Sequence, residues 1–217
     1  MAKAHILIFD WDGTLMDSAD QIVHCMQIAA DDCRVLPPSR EAVETIIGLG
    51  LPEALAILFP GLNETRRHLI RTRYAWHFVA GTGGESRLFP GAKDMLYALK
   101  AKGYRMTVAT GKSRQGLDRV LVKTGLESFF HMTRCADETI SKPHPLMIEQ
   151  ILEKYKAKPE NALMIGDTTY DMEMAQSIGM PRVGVTYGVH KDVDLLLFEP
   201  LQLLDSIDDL AAYLRSL

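Results

Sequence analysis

The chain has 217 residues, 47% of them hydrophobic, and its 28 acidic and 24 basic side chains give a net charge of −4. This length supports a sizeable core with a smaller second unit, and the charge excludes the strongly basic field of proteins that bind nucleic acid or membrane surfaces. The cysteines Cys25, Cys33 and Cys135 show no metal-binding spacing, which favours reduced thiols. We therefore expect a cytoplasmic protein that binds a small polar ligand, with no nucleic acid and no membrane as partner.

The first predicted strand, His5 to Phe9, ends in the stretch ILIFDWDGTLMDS. Its apolar run is too short for a signal peptide or a membrane span. Asp10 and Asp12 follow the run directly, two residues apart, so an extended chain projects both carboxylates to the same side. Asp and Gly are also ordinary turn residues, so this stretch alone leaves a plain strand-to-turn interpretation open.

The segment that follows is predicted to be helical, with no strand pattern between residues 16 and 87. Ile22, Met26, Ala29 and Cys33 have helical spacing, and Ser39 and Asn63 are suitable N-caps for later helices. The glycine-rich return GTGG, residues 81–84, is either a hinge or a plain loop.

A regular alternation of strands and helices begins after residue 88, which indicates a parallel α/β sheet. The further predicted strands are Tyr104 to Ala109, Ala162 to Ile165 and Arg182 to Thr186. The predicted helices are Gly91 to Ala101, Ser113 to Thr124, Pro145 to Tyr155, Asp171 to Ile178 and Asp205 to Leu214.

A second pair of acids, Asp167 and Asp171, follows a later strand in the stretch MIGDTTYD. Ligands bind at the carboxyl ends of the strands in open parallel sheets, so both acidic pairs are expected at one site. Clustered carboxylates repel one another by roughly 4 kcal/mol per pair at ~4 Å and an effective dielectric near 20. Oxygen-only ligands favour a hard divalent cation, and the sequence therefore predicts Mg²⁺.

Two weaker signals lie between the acidic pairs: Thr110 in VATGKS and Lys142 in SKPHP. Taken singly, the first is an ordinary turn hydroxyl and the second a solvated loop lysine. In chain order, however, DWDGT, TGK, SKPHP and GDTTYD resemble the four signature motifs of the haloacid dehalogenase superfamily, over residues 5 to about 190.

Within that superfamily the chain resembles the phosphoglycolate phosphatase-type hydrolases. The resemblance implies an open parallel, Rossmann-like α/β core formed by residues 1–15 and 88–217. It also implies a small all-helical cap domain, residues 16–87, inserted after the first strand.

The same resemblance implies a role for each motif residue. Asp10 is expected to be the nucleophile and Asp12 the general acid and base, while Asp10, Asp12 and Asp167 bind the metal, Asp12 through its backbone carbonyl. The expected phosphate-binding residues are Thr110, Gly111 and Lys142, and the expected supporting residues are Asp171 and Lys112.

The predicted activity is Mg²⁺-dependent hydrolysis of a small phosphorylated metabolite through an aspartyl phosphate, with 2-phosphoglycolate as the family-level substrate. A sugar-phosphate mutase has the same core residues, and an idle binding protein with the same fold is a third alternative. A haloacid dehalogenase lacks the second acid, so Asp12 favours phosphoryl chemistry.

Phosphatases similar to this chain use a region of the cap for substrate selection, so the resemblance implies a substrate contact in the stretch from Ile46 to Leu55, which is largely apolar here. The basic run from Arg66 to Arg73 either binds a substrate anion or forms a solvated helix face.

Overall fold

The computed structural model describes residues 5–217, so the first four residues of the predicted core segment 1–15 lie outside the described part. Six parallel strands form one sheet in the order β5-β4-β1-β6-β7-β8, and a separate pair, β2 and β3, is antiparallel. The strands are β1 Ile6–Phe9, β2 Met16–Asp17, β3 Arg87–Leu88, β4 Arg105–Thr110, β5 Met132–Cys135, β6 Ala162–Gly166, β7 Arg182–Val185 and β8 Leu203–Leu204. The predicted open parallel α/β sheet is confirmed.

The register of the central strands fixes where the site residues lie. Phe9, the last residue of β1, is opposite Val108 of β4 on one side and Ile165 of β6 on the other. The chain segments that follow β1, β4 and β6 therefore leave the sheet at the same edge. All four β1 residues are buried, as expected for a strand with helices on both faces of its sheet.

Residues 5–217 form ten α-helices, which surround the sheet or extend from it. They are α1 Ala19–Asp32, α2 Arg40–Glu44, α3 Leu51–Leu58, α4 Glu64–Ala80, α5 Ala92–Ala101, α6 Arg114–Thr124, α7 Leu146–Tyr155, α8 Thr169–Ser177, α9 Asp192–Leu196 and α10 Ile207–Ser216. The predicted caps are confirmed: the side chains of Ser39 and Asn63 accept hydrogen bonds from the first turns of α2 and α4.

The core has three apolar clusters. One covers a face of the sheet with side chains such as Met95, Leu117 and Leu210, and a second covers the other face. The third lies within α1–α4 and their connections and includes Met26 and Ile70. Helices α1–α4 thus bury an apolar core of their own.

Some of the predicted secondary structure differs from the structure. The expectation of no strand in residues 16–87 is wrong, because β2 pairs with β3 through Met16 and Asp17; strands of two residues are too short to show alternation. Strands β5 and β8 were not predicted, since both lie at sheet edges and β5 carries the polar residues Thr133 and Arg134.

The C-terminal helix begins at Ile207, two residues later than expected, because Ser206 is its N-cap. Along residues 5–217, no helix combines the length and the apolar character needed to cross a bilayer.

Candidate active site

Three of the four acidic residues predicted from the motifs, Asp10, Asp167 and Asp171, meet where β1 and β6 end. Lys142 reaches this point from the loop after β5, and its Nζ lies 2.6 Å from Asp10 Oδ1 and 2.6 Å from Asp171 Oδ1. All three side chains are at most 1% exposed. The structure therefore brings Asp171 and Lys142 together as a direct ion pair.

Burial has opposite effects on the charged groups here. Loss of solvent raises the pKa of Asp10 well above its ordinary value; Lys142 opposes this rise, and the charges of Asp171 and Asp167 add to it. For Lys142 burial alone lowers the pKa, but the charges of Asp10 and Asp171 outweigh it, so the net pKa is raised. The lysine is thus a cation next to two carboxyl groups, Asp10 and Asp167, whose pKa is raised.

Asp167 is held in a fixed orientation at the end of β6. Its Oδ1 accepts a hydrogen bond of 2.7 Å from Thr14 Oγ1, and its Oδ2 accepts one of 3.0 Å from the backbone N–H of Val189. The side chain fits closely against Gly13, whose φ of +80° also excludes most other residues. Burial and the charge of Asp171 raise the pKa of Asp167 to about 7.

Three carboxylates fit a hard cation. Oxygen atoms of Asp10, Asp167 and Asp171 all lie within 4.8 Å of one another. Asp10 Oδ2 is a buried oxygen with no hydrogen-bond partner among residues 5–217, which a cation would supply. The donor set consists of oxygen only, as Mg²⁺ and Ca²⁺ prefer.

The carboxylate of Asp12 is not part of this cluster. Its Oδ1 accepts a hydrogen bond of 2.6 Å from Ser18 Oγ and lies 2.8 Å from Lys112 Nζ. Asp12 thus has side-chain partners different from those of Asp10, Asp167 and Asp171.

Thr110 and Gly111 lie at the end of β4, beside Asp12. Thr110 is fully buried, and its Oγ1 accepts a hydrogen bond of 3.2 Å from the backbone N–H of Lys112. Gly111 packs directly under the backbone carbonyls of Gly48 and Leu49, where a Cβ atom would collide with both. The loop between α2 and α3 therefore covers the end of β4.

Two hydrogen bonds join the same loop to the sheet edge. The backbone N–H of Gly50 donates to Ser141 Oγ at 2.7 Å, one residue before Lys142, and Tyr170 Oη donates to the carbonyl of Thr45 at 2.7 Å. These contacts enclose the acid cluster on the side that faces α1–α4.

A cavity of about 480 Å³ begins at Asp12 and Lys112 and extends between α6 and the helices α1–α4. It is bounded by residues Ile46 to Leu49, by α1, and by the face of α4 that carries Tyr74 and Phe78. The predicted substrate contact at Ile46 to Leu55 thus lies at a cavity.

None of the arginines between Arg66 and Arg73 borders this cavity. Arg73 pairs with Asp32, and Arg66 donates to the carbonyl of Cys33 at 2.9 Å. The alternative in which this basic run binds a substrate anion is therefore not supported by the geometry.

Several contacts that orient the acids were not assigned from the sequence. Thr14 and Ser18 belong to the first motif, and their hydroxyl groups, so close to two acids, were the available signal. Val189 and Thr168 gave no signal; Thr168 Oγ1 donates to Asp171 Oδ2 at 2.6 Å within the N-terminal cap of α8.

Comparison with known proteins relates the chain to one family. The family model described as haloacid dehalogenase-like hydrolase matches residues 7–185. A probable phosphatase IndB of Dickeya dadantii is 32% identical over 216 residues, which is 98% of this chain and 94% of that protein. A phosphoglycolate phosphatase of Agrobacterium fabrum is 30% identical and covers 95% of this chain and 89% of its own length.

Solved structures give the same result. A crystal structure described as a predicted phosphoglycolate phosphatase from Haemophilus somnus superposes with a TM-score of 0.86 at 26% identity, and it covers 98% of this chain and 99% of its own. The chain therefore belongs to the haloacid dehalogenase-like hydrolases, and within them to the phosphatases that resemble phosphoglycolate phosphatase.

Proposed function

We propose that the chain hydrolyses a small phosphate monoester through an aspartyl phosphate formed on Asp10, with Mg²⁺ as cofactor. The observation that carries this proposal is the environment of Asp10: Lys142 holds one carboxylate oxygen at 2.6 Å, while the other oxygen has no partner among the described residues. A buried carboxylate with one free oxygen, next to a cation, is suited to attack phosphorus.

In the first step a carboxylate oxygen of Asp10 attacks phosphorus, and the bond between phosphorus and the alcohol oxygen breaks. Asp12, in its protonated form, donates its proton to the departing alkoxide. The hydrogen bond from Ser18 and the ion pair with Lys112 hold the Asp12 carboxyl group on the side of the cavity where that alcohol lies.

In the second step Asp12 removes a proton from water, and the resulting hydroxide attacks phosphorus. The bond between phosphorus and the Asp10 oxygen then breaks, so that inorganic phosphate leaves and both carboxyl groups return to their starting states. The cation Lys142 and the backbone N–H groups after Thr110 stabilise the charge that develops on the phosphoryl oxygens.

We assign the metal to Asp10 and Asp167, with Asp171 next to them and the backbone carbonyl of Asp12 as a further ligand. When bound, a divalent cation neutralises the carboxylates and draws phosphoryl charge toward the site. Mg²⁺ is the choice that the oxygen-only donor set and a phosphate substrate favour.

We also propose that residues 16–87 form the cap domain and residues 88–217, with the first strand, the catalytic core. The separate apolar cluster of α1–α4 supports this division, as does the pairing of β2 with β3 at its two ends.

The test measures phosphate release from a panel of phosphate monoesters with Mg²⁺ and with excess chelator. We expect activity only with the metal, and we expect Asp10→Asn to reduce kcat by about a thousandfold or more because an amide cannot form the acyl phosphate. Asp17→Asn, the same change at an exposed position on β2, is the matched control and should retain activity.

Full activity in chelator contradicts the metal assignment, and full activity of Asp10→Asn contradicts the nucleophile. A mutase predicts a different product: an isomeric sugar phosphate accumulates and little phosphate is released.

A further inference from the structure

We propose that the cavity beside Asp12 binds the alcohol part of the substrate, and that this alcohol carries an apolar ring instead of the carboxylate of glycolate. The proposal rests on the phosphatase function proposed above and names its substrate class. It is based on one spatial relationship: a cavity with largely apolar walls opens directly onto Asp12, the residue proposed to transfer protons.

The position of the cavity makes it the site of the leaving group. Asp12 borders the cavity, whereas Asp10 and Lys142 lie deeper, at the strand ends. A phosphate bound between Asp10 and Thr110 therefore has its ester oxygen toward Asp12 and the rest of the substrate in the cavity. At about 480 Å³ the cavity is within the range of about 300–1,000 Å³ of sites that enclose drug-sized ligands, and glycolate fills little of it.

The walls are largely apolar and come mainly from the helices that follow β1. Their aliphatic and aromatic side chains include Met26, Ile46, Leu49, Tyr74 and Phe78, whereas most of the polar lining comes from the first part of α6 and the loop before it. Burial of apolar surface contributes about 25 cal/mol per Å², so a ring gains binding energy here. A carboxylate in the same place loses its hydration without a comparable gain.

The charges of the cavity leave no buried cation free for a substrate carboxylate. Lys112 already pairs with Asp12 at 2.8 Å, and its Nζ lies 4.9 Å from the centre of the Phe78 ring. Arg119, the other cation at the cavity, is exposed on α6, where water screens its charge. Burial and the charge of Asp12 raise the pKa of Tyr74, so its hydroxyl stays neutral.

Benzyl phosphate and 2-phosphoglycolate form a matched pair for the test. Both join phosphate to a CH₂ group, and they differ in the phenyl ring or carboxylate attached to it. We expect kcat/KM with Mg²⁺ to be at least about tenfold higher for benzyl phosphate. Equal values, or a preference for 2-phosphoglycolate, overturn the proposal and leave the phosphatase function intact.

Measurements of binding separate the proposed substrate class from the proposed phosphatase function. In the Asp10→Asn protein with Mg²⁺, calorimetry should give a Kd for benzyl phosphate at least about tenfold below that for 2-phosphoglycolate. If the wild-type protein releases phosphate from no phosphate monoester of the panel, the proposed function fails, and this binding ratio still decides the substrate class. Equal or weaker binding of benzyl phosphate contradicts the proposal.

A variant pair on α4 tests whether the cavity is responsible. Val79 borders the cavity and is 55% exposed, while Leu69 is 53% exposed on the same helix and does not border it. Val79→Glu should lower the ratio of kcat/KM for benzyl phosphate to that for 2-phosphoglycolate at least about fivefold. Leu69→Glu should change neither value, and an equal effect of the two variants overturns the assignment of the cavity.

Discussion

Lys142 Nζ lies 2.6 Å from Asp10 Oδ1, and both side chains are buried. The same ammonium contacts Asp171 at 2.6 Å, so one lysine is the cation shared by two carboxylates, with a third, Asp167, nearby. Removal of one member of a buried ion pair leaves the other charge unpaired and is strongly destabilising.

Lys142→Met should lower the free energy of unfolding of the metal-free protein by about 3–5 kcal/mol at neutral pH. The loss should be smaller at about pH 5, because burial raises the pKa of Asp10 and a protonated Asp10 has no charge for Lys142 to balance. Urea denaturation at both pH values measures it.

The matched control is Lys123→Met, which removes an exposed ion pair of 3.3 Å with Glu85 and should cost less than about 1 kcal/mol. Similar losses for the two variants would show that Lys142 is not needed to balance the acid cluster.

Asp167 predicts a pH dependence of stability. Because the pKa of Asp167 rises from 3.8 to about 7 on folding, the folded protein holds a proton that the unfolded chain has already released. Stability from this group is present below about pH 4 and decreases as the pH rises toward about 7.

In chelator, the free energy of unfolding of the wild type relative to Asp167→Asn should therefore decrease between about pH 4 and about pH 7.5. Mg²⁺ should raise the Tm of the wild type more at the higher pH, because the cation competes with the proton for the carboxylate. Thermal unfolding measures both effects, and a difference between wild type and variant that does not change with pH contradicts the prediction.

The close packing of Gly111 leads us to expect that a larger residue there displaces the loop between α2 and α3. A Cβ atom at this position collides with the backbone carbonyls of Gly48 and Leu49, which cannot rotate away. Gly111→Ala should displace the loop between α2 and α3, reduce kcat/KM by about tenfold or more and cost roughly 1–3 kcal/mol of stability.

Gly61→Ala is the control, since no atom lies within 4 Å of the Cβ position there, and it should alter stability by less than about 0.5 kcal/mol. Wild-type activity of Gly111→Ala would show that the loop does not need this close contact.

The contact of Lys112 with Asp12 leads us to expect that a change at Lys112 affects kcat more than KM. If its ion pair of 2.8 Å orients Asp12, Lys112→Met should reduce kcat at least about tenfold with little change in KM. A rise in KM at constant kcat would instead indicate that Lys112 binds the substrate phosphate. Lys102→Met, an exposed lysine that donates to the carbonyl of Arg215, is the control and should change neither constant.

The positions of the acids could be predicted from the sequence because each acidic pair follows an apolar run of strand length. Apolar runs mark β1 and β6, and in a parallel sheet the residues directly after such runs meet at one edge, which brings Asp10 and Asp167 together. The direct contact of Lys142 with Asp171 agrees with the supporting role expected for Asp171.

Contacts between distant segments could not be predicted in this way. The hydrogen bond from Gly50 to Ser141 and the packing of Gly48 on Gly111 depend on how α1–α4 lie against the sheet, which no local pattern records. Edge strand β8 was missed because two residues carry too little pattern.

The pairing of Met16 with Leu88 and of Asp17 with Arg87 has an evolutionary consequence. Because β2 and β3 pair with each other, the two ends of the segment between them lie side by side. We call this segment, residues 18–86, the cassette. Most of the cavity wall belongs to this cassette, whereas Asp10, Asp12, Lys142 and Asp167 lie outside it. Exchange of the cassette between paralogues could thus change substrate preference while the phosphoryl-transfer chemistry is inherited intact.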